Sequence, residues 1–213
     1  MTELVRLRSG EADVARKALE RCVSGGGVAV FPSDGLYGLG CDPLDAGAIA
    51  KIHRLKGRDD GKPSAVMYFS PLAIRELLAG LGPRTKAVAS ALLPGPVTLV
   101  VANPQRRYAL ACRQDPERLG VRLIGGPLAG TMCPVFQTSA NLSGEPAPGR
   151  FEDVPESIVE GADLAIDGGE LPGLPSTVID IAAIDEDGSW RILRDGAVSP
   201  GDVTSALASV GLD

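Results

Sequence analysis

The stretch from Phe31 to Lys62 constrains this chain most, because it passes from an apolar strand end through three closely spaced glycines and a short amphipathic segment into a burst of cations. Pro32 closes the strand signalled by Val28, Ala29, Val30 and Phe31. Gly35, Gly38 and Gly40 read as a turn that uses backbone angles closed to other residues and lets the main chain approach a ligand. Lys51, Arg54, Lys56, Arg58 and Lys62 then place five cations within twelve residues, opposed locally only by Asp59 and Asp60. In a chain of formal net charge -6, such a knot points to an anionic ligand.

Several chemistries drop out early. The chain has a single histidine, His53, so imidazole metal sites and hydrolase triads have no second partner to draw on. His53 reads as a helix-end side chain near the cationic lip. The four cysteines, Cys22, Cys41, Cys112 and Cys133, form no Cys-x-x-Cys pair and read as buried or incidental thiols. No run of 18 apolar residues appears, and the first twenty residues carry acids where a signal peptide would be apolar. A cytoplasmic protein without membrane contact is expected. Gly57 to Ser64 fails as a Walker loop, and Gly38-Leu39-Gly40 lacks the third glycine of a dinucleotide fingerprint.

Periodicity along the 213 residues alternates helix and strand. Helices are expected at Glu11–Val23, around Ala48, Ile49 and Ile52, at Pro71–Ala79, Pro83–Leu92 and Gly201–Val210. Strands are expected at Leu4–Leu7, Ser64–Phe69, Val97–Ala102, Tyr108–Ala111, Gly120–Ile124, Val135–Thr138, Leu164–Asp167, Thr177–Ile181 and Trp190–Leu193. The strand-rich second half favours a single α/β domain over residues 1–213, a twisted mixed sheet with helices on its faces.

Small polar clusters stand at strand ends, where α/β sheets bind ligands. Thr138-Ser139-Ala140-Asn141 follows one strand, Thr98 begins another, and Pro175-Ser176-Thr177 precedes a third. Each alone is an ordinary turn or cap, since Ser and Thr favour such places. Arg113, Arg118, Arg122 and Arg194 are candidate anion ligands, with Arg122 set inside the apolar run Val121 to Ile124.

The ordered blocks PSDGLYGLGCDP, KGRDDGKP, LLPGPVTLVV, GVRL, TSANLSGEPAP, LPSTVID and ILRDGAV resemble the YrdC-like family of threonylcarbamoyl-AMP synthases over roughly Gly25 to Val198. The resemblance implies a YrdC-like fold with a concave basic cavity. It further implies synthesis of threonylcarbamoyl-AMP and pyrophosphate from ATP, L-threonine and bicarbonate, with Mg2+ carried on the ATP. Downstream tRNA-modifying proteins would then use the product. The Lys-x-Arg and Ser-x-Asn pairs of the family fall on Lys56, Arg58, Ser139 and Asn141, the implied catalytic group. Nucleotide contacts are implied for Lys56, Arg58, Lys62, Arg118, Asn141 and Arg194. Threonine contacts are implied for Ser33, Arg122, Ser139 and Ser176.

The chain departs from the family pattern at Gly35, where a second Thr is usual, at Asp59 in place of Pro, and at Met67 in place of a His of longer members. Two other functions were weighed. One is a carbamoyl-adenylate-forming enzyme with another donor, which Gly35 leaves open. The other is a non-enzymatic RNA-binding module, against which stand the net charge of -6 and an aromatic content of 4%.

Overall fold

The computed structural model describes residues 1–7, 11–57 and 63–212. Among them, ten strands form one mixed sheet in the order β1-β8-β2-β3-β7-β4-β6-β5-β9-β10. The strands are β1 (Glu3–Arg6), β2 (Ala29–Pro32), β3 (Tyr37–Cys41), β4 (Ala65–Tyr68), β5 (Val97–Ala102), β6 (Arg118–Leu123), β7 (Val135–Ser139), β8 (Leu164–Asp167), β9 (Thr177–Asp180) and β10 (Arg191–Arg194). Parallel pairs β4/β6 and β5/β9 alternate with antiparallel β3/β7, β4/β7 and β5/β6. The expected α/β architecture with a mixed sheet and flanking helices is therefore present.

Alternation along the strands divides the sheet into two faces. Val66, Tyr68, Leu99, Val101, Leu119 and Val121 point into one core, shared with Ile49 and Ile52 of α2 (Ala46–Lys56), Val88 of α4 (Pro83–Leu92) and Val203 of α7 (Pro200–Ala208). On the opposite face, α1 (Ala12–Ser24) sets Ala15, Leu19 and Val23 against Ala29, Phe31, Leu164 and Ile166. The second core thus covers only part of that face. Its remainder, over β4, β6, β5 and β9, stays open and becomes the floor of a cavity.

Local signals explain the helix positions. Asp45 caps α2 by accepting from the Gly47 and Ala48 amides, and Gly57 ends it in the left-handed conformation at φ 60°. Ser70 caps α3 (Pro71–Ala79) with Pro71 in its first turn, and Ser199 with Pro200 does the same for α7. No helix among the described residues is long and apolar enough to cross a membrane.

Two expectations require correction. Tyr108–Ala111 does not form a strand: Ala109–Cys112 is the short helix α5. Because β4 and β6 pair directly, no gap between them admits this segment, and it buries Ala111 and Cys112 instead. The glycine-rich stretch is likewise no turn of unusual backbone angles, since Gly38 and Gly40 lie within β3 and neither they nor Gly35 has a positive φ. Close approach accounts for them. A Cβ on Gly40 would meet the Phe136 carbonyl oxygen, and one on Gly35 would meet the Leu174 carbonyl oxygen, both well under 3.0 Å.

Candidate functional site

The open part of the sheet floors a cavity of about 530 Å³. Gln137, Ala65, Gly120 and Val100 follow one register line across β7, β4, β6 and β5, and all four line the cavity. β6 supplies its defining pattern. Leu119, Val121 and Leu123 turn into the core, so Arg118, Gly120 and Arg122 share the cavity face. Four residues of strand separate the two arginines by roughly 13 Å, with Gly120 keeping the floor low between them. Charged side chains enter this cavity at opposite ends.

Arg122 marks the first end. It is buried, and it donates to Asp34 Oδ2 at 3.0 Å and to Gln137 Oε1 at 3.3 Å, while its Nε has no hydrogen-bond partner among the described residues. Burial lowers its pKa, and burial likewise raises that of Asp34 despite the opposing pull of Arg122. Ser33 lines the same end, and its hydroxyl donates to the Leu36 carbonyl at 2.8 Å. A strap over residues 168–176 closes the wall: the Gly173 amide donates to the Gly35 carbonyl at 2.8 Å, and Leu174 lies against Gly35 and lines the cavity.

Arg118 marks the other end, paired with Asp180 and lying 3.8 Å from Asp115. On the wall beyond β9, in register with Val178, Thr98 and Arg122 and so at the Arg122 end, Arg194 donates to the Ser176 carbonyl at 2.7 Å and to the Ser176 hydroxyl at 3.1 Å. That hydroxyl shares a further bond of 2.8 Å with Thr98. Burial lowers the pKa of Arg194.

Ser139 lines the cavity from the end of β7, whereas Lys56 and Asn141 stand behind it. The Lys56 ammonium donates to the Ser139 carbonyl, to the Asn141 carbonyl at 2.7 Å and to Asn141 Oδ1 at 3.3 Å. The Asn141 carboxamide donates to the carbonyls of Leu142 and Glu145 at 2.8 and 2.7 Å, and its Oδ1 accepts from Ser139 Oγ. Lys56, expected at the phosphates, thus meets the cavity through the Ser139–Asn141 turn that it braces. Arg58 and Lys62 lie outside the described residues.

Of the residues singled out in the sequence, Ser33, Arg118, Arg122, Ser139, Ser176 and Arg194 come together around one cavity. Arg113 does not join them; its guanidinium meets His53 Nε2 at the end of α2. The cysteines stay outside as well: Cys41 and Cys112 are buried, and burial pushes Cys22 and Cys133 to about 11. Asp34, Asp180 and Gln137 were missed. Asp34 sat in a Pro-Ser-Asp-Gly turn signal and Asp180 at a strand end, and neither pattern names the arginine it meets.

A fold of this topology has known counterparts. The Sua5/YciO/YrdC family model, described as "Telomere recombination", matches residues 21–196, and the chain belongs to this family. It is 29% identical over 195 residues to a threonylcarbamoyl-AMP synthase of Bacillus subtilis, covering 87% of this chain and 54% of that protein. A threonylcarbamoyl-AMP synthase of Nitrosococcus oceani is 33% identical over 154 residues, 70% of this chain and 82% of its own length. The crystal structure of Pyrococcus abyssi Sua5 complexed with L-threonine superposes with a TM-score of 0.80 at 27% identity, over 97% of this chain and 60% of the other. The chain therefore spans little more than half of two of these relatives.

Proposed function

We propose that this chain is a threonylcarbamoyl-AMP synthase, joining L-threonine, bicarbonate-derived CO2 and ATP. The observation that carries the reading is the set of three arginines, Arg118, Arg122 and Arg194, converging with Ser139 and Ser176 on one sheet-floored cavity. The carbamate nucleophile and the ATP it attacks are both anions, and bringing them together calls for fixed cationic donors more than for proton transfer. Arg122 holds the amino-acid carboxylate, and Ser176 orients the amine. The free amine attacks CO2 and loses a proton, giving a carbamate. A carbamate oxygen then attacks the α-phosphorus, and the bond to the β-phosphate oxygen breaks to release pyrophosphate.

Arg118 holds the phosphates at the opposite end, Arg194 reaches the nucleotide from the wall beside Ser176, and Ser139 is directed at the α-phosphate by the turn that Lys56 and Asn141 brace. Arg58 and Lys62 extend this cationic side. Mg2+ carried on the ATP would supply charge neutralisation for the departing pyrophosphate, beside the guanidinium of Arg118. Among the described residues no group of three or more His, Cys, Asp or Glu side chains is placed to hold a metal ion, and a metal carried by the nucleotide needs none. The product would pass to proteins that modify tRNA, in the cytoplasm.

The test follows pyrophosphate release by the pure protein with ATP, magnesium and bicarbonate, adding one amino acid at a time. Release dependent on threonine and bicarbonate is expected. Release with a different amino acid or with carbamoyl phosphate would move the assignment to a related carbamoyl adenylate. No release, with salt-sensitive binding of RNA, would replace the enzyme by a binding module.

A further inference from the structure

Asp180 ends β9 and is buried, yet no step above uses it. Its carboxylate gathers three partners: the Arg118 guanidinium, Arg191 Nε at 3.2 Å and the Ala182 amide at 3.2 Å. Registry shows how unusual the first contact is. Asp180 stands beside Val100 of β5, and Arg118 stands beside Ala102 of the same strand on its other side. Arg118 therefore crosses the whole width of β5, two strand spacings of about 4.8 Å each, to reach the acid. Only a long side chain lying along the sheet can do so.

We propose that Asp180 is a positioning residue, which holds the Arg118 guanidinium flat over β5 at the nucleotide end of the cavity. The inference rests on the reading of Arg118 as a phosphate ligand. Two opposed effects make it testable. As a bare charge, Asp180 cancels part of the field of Arg118, so removing it would strengthen binding of an anion. As a positioner, it fixes where the guanidinium sits, so removing it would weaken binding. Arg191 bears on the balance. It shares the same carboxylate oxygen from the exposed side of the sheet, so the single charge of Asp180 is divided between two arginines and leaves Arg118 cationic toward a ligand.

Calorimetric titration of the whole protein with Mg·ATP measures the outcome, alongside steady-state turnover. Asp180→Asn keeps the shape and removes the charge; the ATP Kd is expected to rise about tenfold, the low end of what losing an orienting outer partner costs. The threonine KM should stay within error, and kcat should fall less than the ATP affinity, a split that general loss of folded protein would not produce. Asp180→Glu keeps the charge and shifts the guanidinium, so a several-fold rise in ATP Kd is expected there also, and this variant decides the question if the asparagine form does not fold. ATP binding that is unchanged or tighter in either variant, while Arg118→Ala weakens it, would overturn the proposal alone. Unchanged ATP binding in Arg118→Ala would remove the underlying reading of Arg118 and the proposal with it.

Discussion

The two ends of β6 carry the same residue type on the same face, but they are built differently. Arg122 is deeply buried, with a side chain 7% exposed, and faces one carboxylate, Asp34, that has no second cation among the described residues. Arg118 is 32% exposed, and its partner Asp180 is shared with Arg191. Loss of an arginine therefore leaves a partly buried, unpaired acid at one end and a still-paired acid at the other. Burial holds Asp34 above its ordinary pKa even beside Arg122, so desolvation outweighs the attraction at this carboxylate. Such an arrangement makes sense where a rigid, dehydrated guanidinium must meet a carboxylate.

Replacement of the arginines breaks the comparison most strongly. Arg122→Ala should lower threonine-dependent turnover by about 10² to 10³, as for loss of one preorganised donor. It should also cost about 1–3 kcal/mol in urea denaturation, because the partly buried Asp34 loses its cation. Arg118→Ala should cost less, about 1 kcal/mol, since Asp180, though buried, keeps Arg191 and the Ala182 amide as partners. Equal losses of stability at the two ends would contradict the difference described.

The double replacement Asp34→Leu with Arg122→Met sharpens the point. It should unfold at the same or a higher urea concentration than the wild type, with a gain of up to about 4 kcal/mol, while amino-acid-dependent turnover disappears. A smaller effect is expected at the strap. Gly35→Ala pushes a Cβ into the Leu174 carbonyl, costing about 1–3 kcal/mol as in overpacked cores, and should raise the threonine KM more than the ATP KM. The smallest effect is in pH. A raised Asp34 pKa means that the folded state binds this proton more tightly, a contribution complete below the reference value of 3.8 and lost as pH rises through the higher folded value. Urea midpoints measured as pH falls through that window should improve for the wild type relative to Asp34→Asn.

Much of the fold was legible because its signals are local. Pro71 and Pro83 in first helical turns and the apolar run Val97–Ala102 place three elements at their observed bounds. β3 was hidden because its glycines answer to a packed Phe136 backbone and Phe31 ring, which no local pattern encodes. At the site, Arg122 was legible as a cation inside an apolar alternation, and Ser139 as a hydroxyl at a strand end. Their partners were not. Asp34 lies 88 residues from Arg122 and Asp180 62 residues from Arg118, so the pairings exist only once the sheet order is known. Lys56 shows the same limit: its charge reads as an anion ligand, whereas the fold turns it toward carbonyl oxygens 83 and 85 residues away.

The most direct test of the divided cavity is a pair of KM values, for ATP at saturating threonine and for threonine at saturating ATP, in Arg118→Ala and Arg122→Ala. The account predicts that Arg118→Ala raises the ATP value and leaves the threonine value near wild type, and that Arg122→Ala does the reverse. Both variants raising the same KM would contradict it.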